Sequence, residues 1–219
     1  MKIALVAATP AEIQPTQEYL AERLYLKKNF SVEPIVTGVG LLNTAYTLTK
    51  FFSNRKPDIA IQAGIAGTMH PFFPPGIVTT VKEEIIGDMG VEENGKLQDI
   101  FDLNLAEADM FPFSQKMLIN PHQQILNKTH LLQVKAVSVN EITTSSNRVH
   151  QLIEKYGPVL ESMEGAAFHY VCLREDIPFI QLRAVSNLIG ERDKTKWCMN
   201  EAIGNLNREI IILINNLFA

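Results

Sequence analysis

Three short stretches place groups able to do chemistry beside apolar runs: Thr9-Pro10-Ala11-Glu12, the segment ESMEGAAFHYVC that starts at Glu161, and Ser186-Asn187 at the end of the run Phe179 to Val185. A carboxylate at Glu12 is a base that can activate a water, provided that it faces a crevice. The same four residues have the form of a capping box, Thr-x-x-Glu with Pro10 in the first helical turn, so a purely structural helix start is the alternative. Glu161 and Glu164, ahead of an apolar helix, suit the positive end of a helix dipole. One of them turned inward can instead accept from both hydroxyls of a diol. Asn187 is a residue type that ends strands in turns, and it is also a neutral amide that donates and accepts.

Glycines mark two further places. The stretches GVG (38–40) and GIAGT (64–68) permit left-handed backbone and close approach to a ligand, but neither has dinucleotide-fingerprint or Walker spacing. The five histidines show no metal-ligand spacing and no obvious Ser or Cys partner. Cys172 and Cys198 form no Cys-x-x-Cys. No metal, cofactor or disulfide framework is expected, and the location expected from this cysteine usage is the cytoplasm.

The elements that must position these groups follow from composition and periodicity. The 219 residues, 46% hydrophobic and 20% charged with a net charge of -4, suit a single domain over 1–219 and argue against nucleic acid or an anionic membrane as partner. The N-terminal MKIALVAATP reads as a first strand rather than a signal peptide, and no apolar run approaches the roughly 20 residues of a membrane span. Short β-rich runs recur as KIALVAAT, VEPIVTG, PDIAIQAG, GIVTTVKEEII, LLQVKAVSV and IPFIQLRAVS. Helices are expected over about 10–28, 41–53, 146–156, 163–175 and 200–218, the last with a core stripe of Ile203, Leu206, Ile210, Leu213 and Leu217. Trp197 is read as a core residue. The middle section, 87–131, carries no clear assignment. This alternation predicts an α/β fold, three layers deep with a central mixed sheet. Ligands of such sheets bind beyond the carboxyl ends of the strands, at 9–12, 38–40, 64–68, 139–141, 162–164 and 186–187 here.

Six motifs in order, MKIALVAATPAEI, VTGVGLLNTA, PDIAIQAGIAGT, PPGIVTT, SMEGAAFHYVC and PFIQLRAVSN, resemble the purine nucleoside phosphorylase and hydrolase superfamily over nearly the whole chain. The resemblance is to its methylthioadenosine/S-adenosylhomocysteine nucleosidases and futalosine hydrolases in particular. It implies that Glu12 is the acid that polarises the attacking water and that Met163 and Glu164 pack on and hydrogen-bond the ribose. It implies that Gly64, Ile65 and Gly67 belong to a ligand loop, Ile65 standing where the nucleosidases often show Ser. Ser162 stands where they carry a further glutamate. It also implies a homo-oligomer, which would cover surface hydrophobics such as HPFFPP (70–75).

Asn187 sits, by the same resemblance, where the nucleosidases carry an aspartate. A carboxyl group suits adenine, whose exocyclic amine donates; a 6-oxopurine presents the acceptor O6, which an amide NH2 can meet while the amide oxygen takes a protonated N7. An amide therefore points to hypoxanthine or guanine, although it cannot deliver a proton to the leaving base. The stretch from Ser186-Asn187 through Arg192 to Trp197 resembles futalosine hydrolases, which release hypoxanthine in a menaquinone-forming pathway. The benzoate tail of futalosine calls for a cation and aromatic surface, for which Arg192, Lys194, Phe72, Phe73 and Trp197 are the candidates. The first strand and the GVG loop hold no arginine to grip phosphate, so water is the expected nucleophile. The alternatives are an adenine-releasing nucleosidase and a non-catalytic nucleoside sensor.

Overall fold

The computed structural model describes residues 1–23 and 30–217. The chain opens with β1 (Lys2–Ala7), a 3-10 turn at Pro10–Glu12 and α1 (Gln14–Ala21), so the expected helix over 10–28 is two short pieces, and its end lies outside the described residues. Then come β2 (Ser31–Val36), α2 (Leu41–Asn54), β3 (Ile59–Thr68) and β4 (Val78–Ile86). The unassigned middle section supplies β5 (Gly90–Glu93), β6 (Lys96–Asp99), β7 (Leu118–Ile119) and α3 (Gln123–Leu126). The chain continues with β8 (Gln133–Ser138), α4 (Ser146–Tyr156), β9 (Leu160–Ser162) and α5 (Gly165–Arg174). It ends with β10 (Phe179–Leu188), a second 3-10 turn at Lys194–Lys196 and α6 (Met199–Asn216).

Eight strands form one mixed sheet in the order β10-β4-β8-β9-β3-β1-β2, with β7 on β4. Strand β10 also pairs with β3, so five strands close into a ring, from which β1 and β2 extend at β3 and the short β7 at β4. The expected central mixed sheet is present, and the long strand β3, paired with β1, β9 and β10, is what closes part of it on itself. Its first half pairs with β1, and its last two residues pair antiparallel with β9.

Alternate residues of β1 show why helices cover both faces. Ile3, Leu5 and Ala7 pack with Leu206, Ile210 and Leu213 of α6, whereas Ala4 and Val6 pack with Leu48 and Phe52 of α2 and Phe168 and Val171 of α5. A period of two puts successive side chains on opposite faces, and burying each large aliphatic chain is worth about 1.5–3 kcal/mol. The expected α6 stripe holds except at Ile203, which faces a cavity instead of the core. GIAGT and Ser186-Asn187 are not loops after strands, as the sequence suggested. They are the last residues of β3 and β10, paired with each other and offset by a bulge at Ser186.

Candidate active site

A cavity of about 270 Å³ opens where β1, β3, β9 and β10 end. Glu12 reaches it from the turn after β1. Its Oε2 accepts from the Thr9 amide (2.8 Å) and hydroxyl (3.1 Å), and its Oε1 accepts from the Ile65 amide at 3.2 Å. The residue is only 6% exposed. The capping box and the cavity-facing carboxylate are therefore the same group: one oxygen holds the turn and the other lies beside the ligand space.

Glu164 is the residue before α5, not a member of the helix. Its Oε1 accepts from the Gly40 amide at 3.2 Å, and its Oε2 accepts from Arg183 Nη1 at 3.3 Å. Gly40 takes φ +98°, a conformation that favours glycine. Arg183 also donates to the Ile65 carbonyl (3.3 Å) and to Gln62 Oε1 (3.2 Å), and at 1% exposure it is a buried counter-charge for the acids. A Cβ on Gly64 would stand 2.3 Å from Arg183 Nη1 and 3.0 Å from Glu12 Oε1, so glycine here is what lets cation and acid approach. Sequence reasoning missed Arg183. The available signal was a lone cation inside an apolar strand, four residues before Asn187.

Asn187 lies at the cavity end of β10. Its Oδ1 accepts from Ser186 Oγ (2.8 Å) and its Nδ2 donates to the Leu188 carbonyl (2.9 Å), which leaves one amide hydrogen and one lone pair for a ligand. Glu161 is not a first-turn helix acid, as the sequence suggested; it is on β9, 4% exposed, and forms part of the cavity wall. Its Oε1 accepts from the Thr143 amide at 3.0 Å, which ties down the segment carrying Ile142, another wall residue. Its Oε2 meets no donor among the described residues. Burial pushes the Glu161 carboxyl pKa up, with Thr143 pulling the other way.

Of the residues singled out from the sequence, Glu12, Ile65, Gly67, Met163, Glu164 and Ser186 line this cavity, as do Asn187, Arg192 and Trp197. Gly64 does not: it stands behind Glu12, against Arg183. Trp197 is half-buried rather than core. Its Nε1 donates to the Glu191 carbonyl (3.0 Å), and the Arg192 guanidinium lies 5.6 Å from its ring centroid. Lys194, Phe72 and Phe73 are not brought to the wall; Phe72 is 81% exposed, and Phe73 packs on a core cluster. Among the described residues no group of three or more His, Cys, Asp or Glu is arranged to hold a metal ion, and no helix is long and apolar enough to cross a membrane.

Taken together, the two acids, the buried arginine and the amide describe a pocket that can polarise a water, grip a diol and hold the polar edge of a base. The family model of the phosphorylase superfamily matches residues 2–215. A futalosine hydrolase of Thermus thermophilus is 29% identical over 177 residues, 80% of this chain and 77% of its own length. A 5'-methylthioadenosine/S-adenosylhomocysteine nucleosidase of Maridesulfovibrio salexigens is 24% identical over 99% of this chain and 100% of its own. The solved structure of futalosine hydrolase from Helicobacter pylori superposes with a TM-score of 0.79 at 14% identity, covering 98% of this chain and 97% of that one. The chain is thus an N-glycosidase of the nucleosidase type. By a match that spans all but its ends, it belongs to the phosphorylase superfamily.

Proposed function

We propose that this enzyme hydrolyses the N-glycosidic bond of a 6-oxopurine nucleoside, namely futalosine, to hypoxanthine and dehypoxanthine futalosine in menaquinone formation. The observation that carries the reading is the neutral amide of Asn187 in the wall that also holds Glu12. An amide hydrogen meets O6 as negative charge develops there, whereas a carboxylate at that point would face it with lone pairs. Glu12 takes a proton from water as the oxygen attacks an anomeric carbon of oxocarbenium character. Glu164, held by Arg183 and Gly40, accepts from the ribose hydroxyls. Asn187 carries no transferable proton, so the base leaves with its charge spread onto O6 and takes its N7 proton from solvent. Arg192 over Trp197 offers the benzoate tail a cation and a ring face.

Water is the nucleophile in this reading because Arg183, the arginine nearest Glu12 and Glu164, is already bonded to Glu164, Gln62 and Ile65. A second reading, an adenine-releasing nucleosidase, is favoured by the full-length match to the M. salexigens enzyme and opposed by Asn187. The enzyme is taken to be cytoplasmic and homo-oligomeric, with exposed Leu42, Tyr46 and Phe72 as apolar surface for a second copy.

The test is a chromatographic assay of purified protein with futalosine, inosine and methylthioadenosine in phosphate-free buffer. Hypoxanthine from futalosine alone is expected. Adenine from methylthioadenosine as the main product would overturn the oxopurine reading, dependence on added phosphate would overturn water as nucleophile, and no free base from any of them would bring the sensor forward.

A further inference from the structure

The strand register sets two polar groups across one slot. Glu161 on β9 lies directly opposite Gly67 on β3, and Gly67 lies directly opposite Asn187 on β10. Directly paired residues project from the same face of a sheet, so Asn187 and Glu161 stand on one face, two strand spacings or about 10 Å apart at their bases. The residue between them has no side chain. A Cβ at Gly67 would come within 2.2 Å of Ile189 Cδ1, so Ile189 lies flat over the glycine and gives the slot an apolar floor. All four residues belong to the cavity wall. A spacing of about 10 Å at the bases matches the edge of a bicyclic base with a hydrogen bond of about 2.9 Å at either side.

Glu161 has accepting capacity to spare at that place. Its Oε1 is held by the Thr143 amide, and its Oε2 has no donor among the described residues, although the side chain is 96% buried by its 4% exposure. A buried carboxylate oxygen left without a donor bears its desolvation cost unrelieved. A ligand N–H brought into the cavity removes that cost. We propose that Glu161 is a base-reading residue: its Oε2 accepts the N1–H of a 6-oxopurine while Asn187 holds the O6 and N7 edge. Adenine has no hydrogen on N1, so its ring nitrogen would put a lone pair against the carboxylate. The inference rests on the oxopurine reading above and adds to it a second, independent point of discrimination, on the other side of O6 from Asn187. Glu161 also anchors the Ile142 segment, and its test has to separate the two roles.

The experiment compares futalosine with the analogue that differs only in carrying a 6-amino group, on the wild type, Glu161→Gln and Glu161→Ala. Glutamine keeps an oxygen for the Thr143 amide but turns an NH2 toward N1. The expected result is that kcat/KM for futalosine falls by about 100-fold or more in Glu161→Gln while the 6-amino analogue is spared or improved, as expected of sites whose buried polar groups are mispaired. Glu161→Ala, which loses the anchor as well, is expected to weaken both substrates. An unchanged ratio between the substrates in Glu161→Gln would overturn the role of Glu161 alone. A wild-type preference for the 6-amino analogue would overturn the oxopurine reading itself. Calorimetry on the wild type gives a check that needs no variant: hypoxanthine should bind at least about tenfold more tightly than 1-methylhypoxanthine, which lacks the N1 hydrogen. Equal affinities would sink the proposal.

Discussion

At the scale of single residues, Glu12 carries two jobs on two oxygens, and the division makes a prediction. In Glu12→Gln the amide oxygen can still accept from Thr9, so the turn Pro10–Glu12 and the shape of the cavity persist. What disappears is the basic site beside the Ile65 amide. Turnover is therefore expected to fall by about 10²–10⁴-fold, the usual worth of a positioned base, with KM within a few-fold of wild type. Steady-state kinetics on futalosine check this, and near wild-type kcat would return Glu12 to a purely structural cap. Such a residue is legible in sequence because the pattern Thr-x-x-Glu after an apolar run is short and local. Arg183 was not, because its partners Gln62, Ile65 and Glu164 come from two other parts of the chain. Glu161 was placed on the wrong element because three residues of strand show no period.

At the scale of elements, long apolar runs were enough to locate β1, β2, β3, β4, β8 and β10, and helical spacing located α2, α4, α5 and α6. The hairpin β5–β6 was within reach: Asn94 and Gly95, at φ +52° and +73°, form its two-residue turn, and Asn-Gly is the strongest short-range hairpin signal. Closure of the ring was out of reach, since it depends on β10 pairing with both β3 and β4, far apart in sequence. That closure presses β3 against the side chains of β10, and Gly64 pairs directly with Arg183. Gly64→Ala is thus expected to push the guanidinium out of reach of Glu164 and to crowd Glu12. Overpacking of this kind costs about 1–3 kcal/mol of stability, and kcat/KM should drop by at least about tenfold. A denaturation curve beside the kinetics separates the two effects. A stable variant with full activity would mean that Arg183 can move without loosening Glu164.

At the scale of the whole molecule, the ring holds a buried acid that the chemistry does not use. Glu84 of β4 accepts from Gln181 of β10 (2.9 Å) and from Ser138 of β8 (3.0 Å), and a Cβ on Gly165 at the start of α5 would come within 1.8 Å of its Oε1. Burial raises its pKa from 4.5 to about 7, against the pull of Gln181, Arg183 and Ser138. The acid is therefore protonated in the fold at pH values where the unfolded chain has released its proton. Between pH 4.5 and 7 the native state binds more protons, so its stability declines as pH rises, by on the order of 3 kcal/mol in total. His169, also fully buried, has the opposite slope. Burial lowers its pKa from 6.5 to about 3, so the unfolded chain gains the proton first and stability is lost as pH falls through that range. The two slopes overlap and partly cancel in the wild type, which hides both. Glu84→Gln keeps an acceptor for Gln181 and a partner for Ser138 while removing one titration. Urea denaturation of both proteins at pH 5 and pH 8 isolates it: the variant should gain roughly 2–3 kcal/mol relative to wild type at the higher pH. Parallel stability at the two pH values would mean instead that Glu84 is ionised inside the ring, with Arg183 as its counter-charge as well as that of Glu164.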